Sequence, residues 1–215
     1  MKCDKKAMLL YAVTDRAWTG RMSLYRQVEA ALKNGVTCVQ LREKELDEDA
    51  FFREAVEIGS LCREYGVPFI INDNVELALK CGADGVHVGQ EDMAAGEVRR
   101  RVGEKLIVGV SAHTVEEAVE AEKNGADYLG LGAVFTTSTK TNAVNMSPRT
   151  LRAICDAVSI PTVAIGGIRE ENLPLLRGSG VDGVAVVSAI FGAEDPGKAA
   201  ARLRALSEEL VKSNG

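Results

Sequence analysis

Short apolar runs recur along the chain at "MLLYAV" (8–13), "VTCVQL" (36–41), "VPFII" (67–71), "DGVHV" (84–88), "LIVGV" (106–110), "DYLGL" (127–131), "PTVAI" (161–165) and "DGVAVV" (182–187). Each has the length of a buried strand. The polar segments between them, such as "TVEEAVEAEKNG" and "SPRTLRAICDAV", space their apolar residues as one face of a helix does. Eight strands alternating with eight helices predict a parallel sheet covered by helices. The count favours closure into a single α/β domain, a (β/α)8 or TIM barrel spanning residues 1–215. An open doubly wound sheet is the alternative, but neither a GxGxxG nor a Walker A sequence supports it.

A longer period overlies the first. The strand starts "NGVTCV", "CGADGV", "NGADYL" and "SGVDGV" share one pattern, two strand–helix units apart. Gly35, Gly82, Gly125 and Gly180 fall where a helix ends and a left-handed residue is often needed.

Composition narrows the partners. Apolar residues make up 46% and aromatics 5%, so the core is built from Ala, Val, Leu and Ile. A net charge of −5 and a pI near 5.3 argue against nucleic acid and anionic membranes as partners. Any anion site must then be a local positive pocket. The five cysteines are odd in number and lack CxxC spacing, as expected of reduced packing thiols in a cytoplasmic protein. The stretch "AMLLYAV" is too short to span a bilayer, and it runs into "TDR" without a small-residue cleavage site. A first strand is the better reading. Nothing here fixes oligomeric state, and a homo-oligomer is allowed.

In a barrel of this type the active site lies at the carboxyl ends of the strands. Functional side chains follow seven of the eight runs there, whereas the opposite ends carry only glycines and an Asp or Thr. The second strand leads into "QLREK" with Gln40, Arg42 and Lys44, and the third into "INDN" with Asn72 and Asp73. The fourth leads into "HVGQED" with His87, Gln90 and Asp92, and the fifth into "VSAHT" with Ser111 and His113. The sixth runs into "VFTTSTK", four hydroxyl residues and then Lys140. Arg42, Lys44 and Lys140 supply cations, and a guanidinium fork suits phosphate oxygens. Asp73 and Asp92 end adjacent strands, and two such carboxylates call for a positive partner. Mg2+ suits oxygen ligands of this kind together with a substrate's phosphates. The bland alternative makes "REKELDEDA" a solvated loop and Asp92 a helix cap.

A second anion site is expected at "IGGI" and "VVSAI", where Gly166, Gly167 and Ser188 follow the seventh and eighth strands. His87 reads as a packed or hydrogen-bonded histidine, His113 as the start of a helix, and Trp18 as a loop residue close enough to the rim to line a pocket.

Together, "QLREK", "IND", "VGQED", "GVSAHT", a T-x-T-K loop, and "IGGI" followed by "VVSAI" resemble thiamine phosphate synthases over essentially the whole chain. The resemblance implies a (β/α)8 transferase of thiamine biosynthesis. Its substrates would be hydroxymethylpyrimidine diphosphate and a thiazole phosphate or its carboxylated form. It would release diphosphate and form thiamine phosphate with Mg2+, by a dissociative substitution. By motif position, Gln40, Arg42, Lys44, Asn72 and Lys140 would contact the pyrimidine diphosphate, and Ser111 would help bind its diphosphate. Asp73 and Asp92 would hold the metal. Thr137 and Thr139 would bind the thiazole phosphate, with the amides of Gly167, Val187 and Ser188. Arg42, Lys44, Ser111 and Lys140 would be the catalytic groups. The chain departs from many relatives at Thr136, where they have proline, and at Thr141 and Asn142; loop closure is the property these differences affect. A related thiazole tautomerase, a Schiff-base aldolase using Lys44 or Lys140, and a non-catalytic phosphometabolite-binding regulator are the competing readings.

Overall fold

The computed structural model describes residues 3–90, 92–136 and 146–214. Eight parallel strands close into a barrel in sequence order: β1 (Leu10–Val13), β2 (Cys38–Leu41), β3 (Phe69–Asn72), β4 (Gly85–Val88), β5 (Ile107–Ala112), β6 (Tyr128–Gly132), β7 (Thr162–Ile165) and β8 (Gly183–Val186). β1 pairs with both β2 and β8, which leaves no sheet edge. Every apolar run named above overlaps a strand over most of that strand's length, and closure of the barrel excludes the open-sheet alternative.

Six of the connections contain a regular helix: α1 (Leu24–Lys33), α2 (Glu48–Glu64), α3 (Val75–Cys81), α4 (Ala95–Val102), α5 (Val115–Lys123) and α6 (Pro148–Ala157). Ser23, Asp47, Asn74, Thr114 and Ser147 begin five of them by accepting a backbone N–H in the first turn. The seventh connection departs from the expected alternation. It holds only a 3₁₀ turn at Leu173–Leu176, where Pro174 sits at the start and Gly178 follows with φ +79°. A proline ring and a left-handed glycine so close together leave no room for a full helix. The eighth unit supplies two helices instead, a short α7 (Ser188–Phe191) and a long α8 (Pro196–Asn214).

Strand side chains alternate between two apolar layers. Leu10, Val39, Ile71, Val86, Val108, Leu129, Ala164 and Val184 face the helices. Met8, Tyr11, Cys38, Ile70, Ile107, Tyr128, Val163 and Ala185 fill the lumen. Tyr128 fits there because its neighbour on β5 is Gly109: a Cβ at that position would lie 2.1 Å from Tyr128 Cζ. Gly109→Ala should therefore destabilise the fold by about 3 kcal/mol through overpacking, read as a lower urea midpoint at unchanged slope.

The longer repeat has a structural explanation at the amino ends of the strands. Thr37, Asp84, Asp127 and Asp182 each form a two-bond clasp with the start of the preceding strand. The N–H of each donates to the carbonyl of Leu10, Phe69, Val108 or Thr162, respectively. Its side-chain oxygen accepts the N–H of that same residue at 2.8–2.9 Å. Gly35, Gly82, Gly125 and Gly180 just before the clasps all have positive φ, as expected. This end of the barrel is given to stability. All five cysteines are free thiols, and burial raises them, Cys62 to about 12. Among the described residues no helix is long and apolar enough to cross a membrane.

Candidate active site

At the carboxyl ends of the strands lies a cavity of about 860 Å³. Each site residue named from the sequence that falls within the described residues lines it: Gln40, Arg42, Lys44, Asn72, Asp73, Asp92, Ser111, Gly167, Val187 and Ser188. Thr137, Thr139 and Lys140, with Thr141 and Asn142, lie outside the described residues. A second recess, about 690 Å³ around Met22, Ala30 and Asp195, shares no lining residue with the first and holds none of the named side chains.

The alternation of β2 to β5 accounts for the convergence. Gln40, Asn72, His87 and Ser111 have the same parity as the lumen residues Cys38, Ile70 and Ile107, so they point inward at the upper end of the barrel. Arg42 and Lys44 follow β2 on a turn that is anchored from within although its Lys44 side chain is exposed. Its Glu43 side chain is only 3% exposed. Glu43 Oε1 accepts the N–H groups of Lys44 and Glu45 at 2.8 and 2.9 Å, and Oε2 accepts Arg16 Nε–H at 2.6 Å. Burial works against ionisation of Glu43, but the two amides and the guanidinium outweigh it and hold the carboxyl below its ordinary value. Arg16 is tied in turn to Glu54 of α2 at 2.7 and 2.8 Å, and Thr14 Oγ1 accepts the Arg42 N–H at 3.0 Å. The sequence reading missed Arg16 and Glu43. Its available signal was a glutamate between two cations, which needs a partner if buried. Glu43→Ala should lower kcat/KM about a hundredfold by releasing the turn, with Glu43→Gln nearer tenfold because its Oε1 still accepts the amides; steady-state kinetics on both variants checks this.

Within the described residues Arg42 has no ion-pair partner, so its charge is available to an anion in the cavity. Lys44 Nζ is 2.9 Å from Asp73 Oδ2, which also accepts Asn72 Nδ2–H at 2.6 Å. Asp73 is the one described non-glycine residue with positive φ, +62°. Such strain concentrates at functional sites. Burial raises the Asp73 carboxyl above its ordinary value; the Lys44 ammonium opposes this, and the adjoining Asp92 carboxyl adds to it by hydrogen bonding and repulsion. Asp92 is not a helix cap: α4 starts at Ala95 with no side-chain cap, and Asp92 Oδ2 instead accepts the Gly89 N–H at 2.7 Å. The two aspartates thus adjoin each other above β3 and β4. Both offer carboxylate oxygens, the ligands a hard divalent cation such as Mg2+ takes together with a substrate's phosphates.

Below these charges a line of hydrogen bonds crosses the lumen. Gln40 Nε2 donates to the Tyr11 hydroxyl at 2.8 Å, and the Tyr11 and Tyr128 hydroxyls are 2.7 Å apart. Tyr128 Oη lies 2.9 Å from His87 Nδ1, and His87 Nε2 lies 3.0 Å from Ser111 Oγ. Gln90 braces the Ser111 end by donating to its carbonyl at 2.6 Å. His87 is therefore hydrogen-bonded, as expected, but within the cavity wall. Tyr11 and Tyr128 were missed; their parity with Gln40 and His87 was the signal. His113 immediately precedes the Thr114 cap of α5, as expected. Trp18 is a correction: 42% exposed, it lies beside Gly192 and not along the cavity, because its 3₁₀ turn at Arg16–Trp18 faces α7.

On the opposite wall, Gly166 and Gly167 adopt φ of +104° and +63° and press against the 133–136 backbone, where a Cβ on Gly167 would meet Thr136 O at 2.4 Å. Asn172 Nδ2 donates to the Gly167 carbonyl at 2.9 Å. Val187 and Ser188 open α7, the short extra helix after β8 beside which phosphates bind in such barrels.

Comparison with known proteins agrees with this layout. The family model described as thiamine monophosphate synthase matches residues 10–190. The thiamine-phosphate synthase of Clostridium acetobutylicum is 48% identical over 86% of this chain and 88% of its own, and that of Clostridium tetani 46% identical over 93% and 96%. The solved thiamine phosphate pyrophosphorylase from Pyrococcus furiosus superposes with a TM-score of 0.88 at 40% identity, covering 96% of this chain and 98% of its own. With a match over most of its length and relatives this similar, the chain belongs to the thiamine monophosphate synthase family and is a transferase of thiamine biosynthesis.

Proposed function

We propose that the protein joins 4-amino-2-methyl-5-hydroxymethylpyrimidine diphosphate to 4-methyl-5-(2-phosphoethyl)thiazole or its carboxylated form, giving thiamine phosphate and diphosphate. The observation that carries this reading is the arrangement of the cavity. An acidic pair and two cations crowd one wall, while glycine turns and the start of α7 occupy the other. One wall suits a diphosphate and the other a single phosphate, and the lumen between them is roofed over apolar and phenolic side chains.

The substitution is dissociative. The C–O bond to diphosphate breaks with its electron pair leaving on the diphosphate oxygen, and the thiazole nitrogen then donates its lone pair to the pyrimidine methylene carbon. No covalent nucleophile is required of the protein. Arg42 and Lys44 stabilise the charge that grows on the departing oxygen, Ser111 adds a hydroxyl donor, and Asn72 holds the Asp73 carboxylate in place. Lys140 is proposed as a third cation on the same group, and Thr137 and Thr139 as phosphate ligands of the thiazole beside Gly167, Val187 and Ser188. Asp73 and Asp92 would hold Mg2+, which when bound supplies Lewis-acid neutralisation of the diphosphate. Gln40 orients the pyrimidine, and the closed walls keep carbon and nitrogen in line.

The test is to incubate the protein with both substrates, with and without EDTA, and to quantify thiamine phosphate and free diphosphate. Equimolar formation of the two products, abolished by EDTA and restored by Mg2+, is the expected result. Isomerisation of a thiazole substrate with no diphosphate released would instead identify a tautomerase.

A further inference from the structure

The hydrogen-bonded line across the lumen joins the two wall residues Gln40 and Ser111 through three side chains that the proposed chemistry does not otherwise use. We propose that this line runs in one direction, each group donating to the next from Gln40 to Ser111, and that Tyr128 is the positioning residue that sets which atoms the two ends present to substrate.

Proton counting leads to that direction. A phenol has a single proton. Tyr11 accepts from Gln40 Nε2, so its own proton goes to Tyr128. Tyr128, having accepted, directs its proton to His87 Nδ1. A ring nitrogen that accepts carries no hydrogen, so in its uncharged form the imidazole keeps its proton on Nε2 and donates it to Ser111 Oγ. Ser111 then retains its own O–H for the cavity. Gln40, with Nε2 engaged, presents Oε1 as an acceptor. Both phenols are fully buried, and burial foremost pushes them well above their ordinary value, so neither gives its proton up.

Turning the Gln40 carboxamide over would reverse every bond in the line. Nδ1 of His87 would then carry the proton, and Ser111 would spend its hydrogen on Nε2. The cavity would meet the serine's lone pairs only, which repel a phosphate oxygen. The forward direction therefore suits an anion beside Ser111 and an amino-bearing ring beside Gln40. The substrate assignments rest on the proposed function; the direction of the line does not.

The chain has two histidines, so ¹⁵N-histidine labelling gives two rings to assign, and His113→Asn identifies the other. In the unliganded wild-type protein near pH 8, His87 should show a pyrrole-like Nε2 and a pyridine-like Nδ1. Tyr128→Phe should turn this into a tautomer mixture and lower kcat about tenfold. Tyr11→Phe cuts the line upstream of Tyr128. It should leave the His87 tautomer unchanged while lowering kcat/KM for the pyrimidine substrate about tenfold. A pyridine-like Nε2 in the wild type overturns the proposal, as does a Tyr128→Phe variant with unchanged tautomer and kcat. Should Tyr128→Phe fail to fold, the wild-type and Tyr11→Phe spectra decide. An inactive wild type would defeat the proposed function, and the His87 signals would still report the direction.

Discussion

Arg42→Ala should lower kcat by about two to three orders of magnitude while changing the KM for the pyrimidine diphosphate much less. The expectation follows from where charge appears. A bound diphosphate ester has its charge spread over many oxygens, and cleavage of the C–O bond adds a full unit at the leaving oxygen. A group that meets this developing charge contributes more in the transition state than in the ground state, and its loss falls on turnover. Arg42 is placed for this. It lines the cavity, its backbone is held by Thr14, and no carboxylate within the described residues competes for its guanidinium. Arg42→Lys restores the charge without the planar fork and should recover only part of the loss. Single-turnover rates on saturated enzyme give the measurement. A large rise in KM with kcat intact would move Arg42 from charge stabilisation to ground-state binding.

The second large effect concerns Asp73, where activity and stability should move in opposite directions. Asp73→Asn is expected to reduce kcat about a hundredfold or more and to raise the melting temperature of the metal-free protein by about 3 °C. Three observations support the gain in stability. The residue has φ +62°, a conformation that asparagine tolerates well. Its carboxylate is desolvated and faces Asp92. Lys44, its counter-ion, has a side chain 56% exposed, so the pair it forms is worth little. The sign follows from the raised value. A carboxyl that holds its proton more tightly when folded contributes stability that is full below the unfolded carboxylate pKa and is lost as pH rises through the folded one. At neutral pH the ionised Asp73 therefore costs stability, and the difference between wild type and Asp73→Asn should shrink in acid. Calorimetry should also show the wild type gaining thermal stability on addition of Mg2+ and the variant gaining less. Equal gains would remove Asp73 from the metal site.

Much of this layout could be read from the sequence because both periods in it have simple physical causes. Each strand is buried on both faces, so it appears as a mostly apolar run, and the polar residues at its carboxyl end or just beyond it land on the rim. That is why Gln40, Asn72, Asp73, Asp92 and Ser111 could be named and why they converge. Tyr11 and Tyr128 were hidden because an aromatic within an apolar run looks like core; only strand parity and the glycine at position 109 turn their hydroxyls toward each other. Glu43 was hidden by its neighbours. In a stretch as acidic as "REKELDEDA", nothing local distinguishes a buried carboxylate from the solvated ones, and its partner Arg16 comes from the preceding loop. The seventh connection misled for another reason: its apolar residues have helical spacing, but Pro174 and the glycines after it shorten the turn they can form.

The four clasps made by Thr37, Asp84, Asp127 and Asp182 tie the staves together in pairs, first to second, third to fourth, and so on, whereas among the described residues the seams between pairs carry no such clasp. The molecule is in this sense four cassettes fastened at the floor. Because the fastenings lie at the far end from the reaction, loops at the mouth are free to shorten, lengthen or exchange chemistry without undoing them. The seventh loop, cut down to a single tight turn while its pair stays clasped, is one instance already present in this chain.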